Sequence, residues 1–256
     1  MSIDKLRLRE LYSQRSKHSN YQILSRNLAE IIGDDIQVKT RYEAERLAYI
    51  IDNLDVRNKS ILEIGGNTGY FTFEMLEHGV RRVHYYEGDK VHSEFVRLAS
   101  KCLDLDEKLD VSNRYFSFSD VELGNKYDVI LLLNVLHHVG DDYDNKKISM
   151  ENAKKTIIEQ LNSLATIGEV IVFQLGFNWK GNRELCLFEN GTKEELIDFV
   201  RNGTEKHWKI DKIGIAESQG DAIKYYDANI ENMKRRDSLG EFLNRPLIIM
   251  RSLKWD

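Results

Sequence analysis

Apolar positions in the first 54 residues recur with helical spacing. Leu6, Leu8 and Leu11 stand among charges. Tyr21, Leu24, Leu28 and Ile31-Ile32 follow, and Leu47, Ile50, Ile51 and Leu54 line one face of residues 41–54. Three amphipathic helices are predicted, the second stopped by Gly33. The pattern then changes. Ile61, Leu62 and Ile64 form a short apolar run around one acid, Glu63, and Gly65-Gly66-Asn67-Thr68-Gly69 breaks it. A helical stretch from Tyr70 to His78 restarts the chain and ends at Gly79, a left-handed cap. A buried strand, a tight turn and a helix fit these residues.

The alternation continues. Residues 81–86 read as a second strand, and 91–102 as a helix with Phe95, Leu98 and Cys102 inward. Residues 114–120 are expected to hold the third strand and its turn. Val129–Leu133 reads as a central strand covered on both faces. A helix over 148–164, a strand over 169–175 and a helix over 192–199 follow, the last opened by the capping box Thr192-Lys-Glu-Glu195. Residues 208–216 and 247–253 are the final strands, an antiparallel edge. Between them lies an insertion, 223–244, with Lys224, Lys234, Arg235 and Arg236. The order predicts a doubly wound, mostly parallel seven-stranded α/β sheet over residues 55–256, with a helical cap over 1–54.

Composition narrows the partners. With 37 basic and 42 acidic residues and a net charge of -5, no global basic field draws the chain to nucleic acid. Cys102 and Cys186 sit far apart in no metal-ligand spacing and read as free thiols. Val129–Leu133, the longest clearly apolar run, is too short to cross a membrane, and a soluble, cytoplasmic protein is expected. Pro246 is the single proline, and no Ser/Gly-rich linker divides the chain, which predicts one compact body.

The glycine turn carries the first candidate chemistry. Glycines let backbone amides and a helix N-terminus approach a ligand closely. A dinucleotide fingerprint, G-x-G-x-x-G, does not fit, because Ile64 stands two before Gly66. The run fits E-x-G-x-x-x-G, with Glu63, Gly65 and Gly69 in place. Asn67 is the non-glycine type that best tolerates a left-handed backbone. Glu87, followed by Gly88, lies where a doubly wound fold places an acid for the two ribose hydroxyls.

These residues resemble the first motif of class I S-adenosylmethionine-dependent methyltransferases, D/E-x-G-x-G-x-G, with Asn67 at the middle glycine. The resemblance implies S-adenosylmethionine as cofactor and S-adenosylhomocysteine as product. Glu63, Gly65, Gly66, Asn67, Gly69, Glu87 and Gly88 would hold it, with adenine near Phe116 and Ser117, where the acid common in relatives is missing. Asn134, at the end of the central strand, resembles the family's fourth motif and would line the methyl-transfer pocket with the residues up to Val139.

His137 and His138 follow directly. A histidine near its ordinary pKa of about 6.5 suits deprotonation of a hydroxyl acceptor. Adjacent residues point differently, so one of the two is expected to face the reaction. Asp141, Asp142 and Asp144 offer hard oxygen ligands for Mg²⁺, but helix capping in a solvated loop is the simpler account, and no metal is assigned. Gln174, Asn178, Trp179, Arg183 and Arg245 are the expected acceptor contacts, although Trp179 could equally plug a core. The polar and aromatic stretch from Tyr12 to Gln22 is either a solvated helix junction or a lid, with Arg15 or Lys17 meeting an anion.

His137-His138, the strand end from Gln174 to Asn178 and Asn244-Arg-Pro-Leu-Ile248 together resemble the methyltransferase modules of bacterial O-antigen chain-terminating enzymes and sugar-tailoring relatives. That implies O-methylation of a small-molecule or carbohydrate acceptor, at a sugar hydroxyl or a sugar-linked phosphate-type oxygen, in surface polysaccharide or capsule biosynthesis. Three alternatives stand beside it. A nucleotide-dependent oxidoreductase is disfavoured by Ile64. A non-catalytic methyltransferase-like partner protein would account for Asn67 and the missing adenine acid. A nucleic-acid methyltransferase lacks its basic stripe, and Asn134 is followed by Val-Leu-His instead of Pro-Pro-Tyr.

Overall fold

A computed structural model describes residues 3–14, 22–33, 38, 40–119, 121 and 125–255. Arg15, Lys17 and Tyr21, and Asp120 of the expected third strand, lie outside the described residues. The chain forms two compact units, Met1–Phe116 and Ser117–Asp256. The N-terminal helices belong to the first unit.

The first unit contains α1 (Ile3–Ser13), α2 (Arg26–Ile32), α3 (Glu43–Asn53), β1 (Ser60–Ile64), α4 (Tyr70–Glu77), β2 (Arg82–Tyr86), α5 (Lys90–Cys102) and β3 (Leu109–Ser112). Its strands run β3-β2-β1, all parallel. Successive strand residues point to opposite faces. Ile61 to Ile64 are nevertheless all buried, so β1 is covered on both sides. Burying one such aliphatic side chain contributes about 1.5–3 kcal/mol. α1 packs on α5, with Tyr12 and Phe95 ring centroids 5.5 Å apart.

Two expectations fail here. The inner face of α5 is His92, Phe95, Val96 and Ala99, while Leu98 and Cys102 are only half-buried. The buried i, i+3, i+4, i+7 row starts at His92 and runs through Phe95, Val96 and Ala99, which leaves Leu98 and Cys102 on its flank. The third strand is Leu109–Ser112, paired in register from Val83↔Leu109, and residues 114–119 are loop. Their aromatic alternation serves other contacts: Tyr115 lies on Gly88, and Phe116 meets Tyr86 edge-on at 5.1 Å.

The second unit contains β4 (Tyr127–Leu133), α6 (Met150–Ser163), β5 (Gly168–Gln174), α7 (Lys193–Thr204), β6 (Trp208–Gln219), β7 (Ala222–Asp227), α8 (Gly240–Leu243) and β8 (Leu247–Ser252). Its strand order is β4-β5-β8-β6-β7. β4 and β5 are parallel, and β8, β6 and β7 form the expected antiparallel edge. The capping box of α7 is present, Thr192 bonding Glu195 in both directions. The sheet has eight strands, mostly parallel in β1–β5, and not seven. The extra strand is β7, inside the stretch read as an insertion at 223–244. Its alternating Ile223, Tyr225 and polar neighbours pair with β6 from Gly214↔Asp227 to Gln219↔Ala222.

Candidate active site

In the first unit, β1 ends in the glycine turn, and three residues there need a left-handed backbone: Gly65 (φ 72°), Asn67 (φ 54°) and Gly69 (φ 79°). Asn67 pays a small conformational cost that its side chain offsets, since Oδ1 accepts from Thr68 N at 2.9 Å. Gly66 is required by packing. A Cβ there would stand 2.3 Å from the buried Tyr85 ring and 3.0 Å from the Glu63 carboxyl carbon.

The turn was expected to present bare amides, and it does not. Gly65 and Gly66 N–H groups donate to Tyr86 O at 2.8 and 3.4 Å, and Gly69 donates to Gly66 O at 2.9 Å. Asn67 N donates to Glu87 Oε2 at 2.9 Å, and Tyr70 N to Gln22 Oε1 at 2.9 Å. The turn is therefore a preformed shape held by its surroundings.

Glu63 and Glu87 take different roles. Glu63 is buried beneath the turn, bonded to the Thr72 hydroxyl. Burial, with the nearby Glu87 charge adding and the Thr72 bond opposing, pushes its carboxyl up to about 8. Glu87 is half-buried, and each of its oxygens accepts one backbone N–H, from Asn67 at 2.9 Å and from Asp89 at 2.8 Å. A carboxylate has about four lone-pair sites, so two bonds leave capacity for a vicinal diol. That fits the ribose of S-adenosylmethionine. Beside it, Gly88 leaves room for the exposed Tyr115 ring, which would meet a Cβ at 2.4 Å.

In the second unit, β4 ends at Asn134, whose φ of 62° turns the chain into the 3₁₀ segment Leu136–His138. A closed ring of hydrogen bonds holds that end. Asn134 Nδ2 donates to Gln174 Oε1 at 2.8 Å, Gln174 Nε2 to Arg245 O at 3.1 Å, and Arg245 Nη1 to Asn134 Oδ1 at 2.7 Å. Gln174 and Arg245, expected at the acceptor, are instead buried inside this ring. The rest of the Arg245 guanidinium pairs with Glu241, Nε to Oε1 at 2.9 Å and Nη2 to Oε2 at 2.5 Å. Nothing in the spacing singled out Glu241. An i, i+4 acid before the arginine was the available signal.

The two histidine rings were expected to diverge. They lie side by side, centroids 4.3 Å apart and tilted by 39°. Their surroundings differ. His137 is buried, and its Nδ1 accepts from Gly176 N at 3.3 Å. His138 is half-buried, with Nδ1 3.2 Å from Asp142 Oδ2. That contact has ion-pair distance without hydrogen-bond direction, and such contacts commonly tighten only with substrate bound. The chain folds back here, Asp141 and Asp142 N–H groups both donating to His138 O. Donor atoms of His138, Asp141 and Asp142 lie within 4.8 Å of one another, while Asp144 turns away to Gln160 Nε2 at 3.1 Å.

The second 3₁₀ segment, Trp179–Gly181, packs on the first. Trp179 is buried, its indole N–H donating to Val139 O at 2.8 Å, so it serves as core and offers no sugar-stacking face. Asn178 is half-buried and Arg183 exposed. Lys180, not anticipated from the sequence, takes φ 56° and places Nζ 4.3 Å over the Trp179 ring. Ser117 bonds the Ser119 hydroxyl at 2.8 Å.

Residues 62–158, which include the glycine turn, Glu87 and both histidines, match the family model described as a methyltransferase domain. This stretch is similar to a methyltransferase domain. No curated protein matches it. Among solved structures, it is similar to the bifunctional kinase-methyltransferase WbdD at 14% identity and a TM-score of 0.60, covering 96% of this chain and 46% of that one. The chain thus spans about half the length of WbdD. It is also similar to magnesium protoporphyrin IX methyltransferase (ChlM) from Synechocystis PCC 6803 with bound SAM, at 12% identity and a TM-score of 0.50, each chain covered to 98%. These likenesses show the class I methyltransferase fold. Among the described residues, no helix is long and apolar enough to cross a membrane.

Proposed function

We propose that this methyltransferase uses S-adenosylmethionine to methylate an oxygen of a carbohydrate or other small molecule, with His138 as general base. S-Adenosylmethionine supplies an activated methyl group, so the chain mainly binds, orients and moves one proton. Glu87 orients the ribose, and Glu63, Asn67 and Gly66 keep the turn in shape.

The carrying observation is the Asp142–His138 pair at 3.2 Å. With its proton on Nδ1, beside the Asp142 carboxylate, a neutral His138 imidazole keeps the Nε2 lone pair ready to take the acceptor's hydroxyl proton as the oxygen gains the methyl group and the methyl–sulfur bond breaks. His137 has the opposite arrangement. Gly176 N–H occupies its Nδ1 lone pair, so a neutral ring carries its proton at Nε2 and can donate but not accept there. His137 therefore orients, and His138 reacts.

A phosphate-type acceptor is the second reading, favoured by Lys180, whose ammonium makes no ion pair among the described residues. A carbohydrate acceptor in surface polysaccharide biosynthesis, in the cytoplasm, is the setting proposed from the motif resemblance of His137-His138 and Asn244-Arg-Pro-Leu-Ile248.

Thermal unfolding tests the cofactor. A ligand at about 100 times its dissociation constant adds roughly 2.7 kcal/mol, a rise on the order of 5–10 °C for a chain of this size. S-Adenosylhomocysteine is expected to produce that rise and NADH none. Methyl transfer to a panel of free sugars and sugar phosphates tests the base. His138→Ala is expected to lower kcat by roughly 10²–10⁴-fold and Asp142→Asn by a smaller factor, with S-adenosylhomocysteine affinity intact. Near-full turnover in His138→Ala would exclude this histidine as base.

A further inference from the structure

Helix α4 begins at a glycine cap, which has no side chain to satisfy the first free N–H groups of the helix. The acceptor comes from far upstream. Gln22 Oε1 takes the Tyr70 N–H at 2.9 Å and the buried Thr68 hydroxyl at 3.1 Å. Gln22 is itself held in place, since its carbonyl accepts from the hydroxyl of Tyr12, a buried residue whose ring packs on Phe95 of α5. Four residues later, Arg26 N donates to Glu74 Oε1 of α4 at 2.7 Å. Residues 22–26 thus attach to α4 at its start and again one turn along.

We infer that Gln22 is a positioning residue of the cofactor site, which holds the last amide of the glycine turn and so presets the turn's shape for the ligand. This rests on the reading above that the turn and Glu87 take S-adenosylmethionine. The turn is held from three directions. Glu87 takes the Asn67 N–H, the Tyr85 hydroxyl bonds the Asn67 carbonyl, and Gln22 takes Thr68 and Tyr70. The first two contacts lie beside or beneath the ribose acid. Gln22 alone among them comes from the segment before β1, so it couples that segment's docking to cofactor affinity.

Removing one such acceptor leaves two donors without a partner and loosens the turn. In the full chain, Gln22→Ala should speed amide exchange at Tyr70 by about tenfold with or without ligand, and weaken S-adenosylhomocysteine binding about five- to tenfold by calorimetry well below the unfolding temperature. Gln22→Glu, which keeps an acceptor at the same reach, should restore slow exchange at Tyr70. Ser25→Ala trims a buried hydroxyl of the same segment that makes no hydrogen bond among the described residues, and should keep affinity within about twofold. Unchanged exchange at Tyr70 in Gln22→Ala would overturn the inference, as would faster exchange with affinity within twofold of wild type. Wild-type protein that binds no S-adenosylhomocysteine would sink the cofactor reading instead, and exchange at Tyr70 would still decide whether Gln22 holds the turn.

Discussion

Glu87 shows what a single carboxylate can contribute when the backbone fixes it first. Its two oxygens are already aimed by Asn67 N and Asp89 N, so under the proposed cofactor reading a ribose diol would meet an acid with little freedom left to lose. Hydrogen bonds to a charged group are each worth about 1.5–3 kcal/mol. Glu87→Ala is accordingly expected to weaken S-adenosylhomocysteine by at least roughly tenfold in calorimetry, and a change under threefold would remove Glu87 from the ribose contact. Asn134 and Asn67 make a related point. Both adopt a positive φ, 62° and 54°, and each side-chain amide is hydrogen-bonded, Asn67 to the next backbone N–H and Asn134 across to Gln174. The sequence alone identified Asn67 as tolerable there. It did not reveal that Asn134 needed the same backbone.

The strand-turn-helix of β1 and α4 was legible because each of its requirements is local. A buried run, a turn with positive φ and a capped helix are written in neighbouring residues. What holds the element was not legible, because Tyr85, Glu87 and Gln22 come from elsewhere in the chain. A variant that disturbs the packing beneath the turn should therefore act as strongly as one in the turn. Gly66→Ala places its Cβ against the fully buried Tyr85 ring at 2.3 Å, and overpacking of this kind costs about 1–3 kcal/mol. Urea unfolding should show that loss together with weaker S-adenosylhomocysteine binding. Gly88→Ala meets Tyr115 at 2.4 Å, but that ring is exposed and can swing aside, so the stability loss should be clearly smaller. Strand β3 was misplaced for the complementary reason. The aromatic alternation at 115–118 is as strand-like as Leu109–Ser112, and only pairing with β2 selects between them.

Across the whole molecule, two buried ionisable groups give stability opposite slopes with pH. Glu63 binds a proton up to about pH 8 in the native state, whereas an unfolded glutamate releases it near 4.3. Its contribution is present below that lower value and declines as pH rises through 8. Lys193, buried with Nζ donating to Asn232 O at 2.7 Å and Lys234 O at 3.0 Å, is lowered to about 8 by burial first and by Arg236 next. The unfolded lysine keeps its proton to roughly 10.4, so this contribution falls as pH drops through 8. Glu63→Gln should match wild type near pH 4 and gain on it by on the order of a few kcal/mol by pH 8. Lys193→Met should show its gain near pH 8 and lose it toward pH 10.5. Chemical denaturation across this range checks both difference curves, and parallel curves for a variant and wild type would refute that group's assignment.

By itself the sequence determined the class of fold, the glycine turn with Glu63, Gly65, Gly69 and Glu87, the central strand into Asn134, and the antiparallel edge. Each of these rests on periodicity, on backbone conformation or on a count of residues from a fixed turn, all properties of neighbouring positions. Only the tertiary structure decided that Gln174 and Arg245 lie inside a ring of hydrogen bonds, that Trp179 belongs to the core, that His138 and His137 differ, and that Gln22 closes the turn. Arg245 meets Asn134 across 111 positions and Gln22 meets Tyr70 across 48. A polar side chain carries the same donors and acceptors in every context, so its role is set by the partner that folding brings to it.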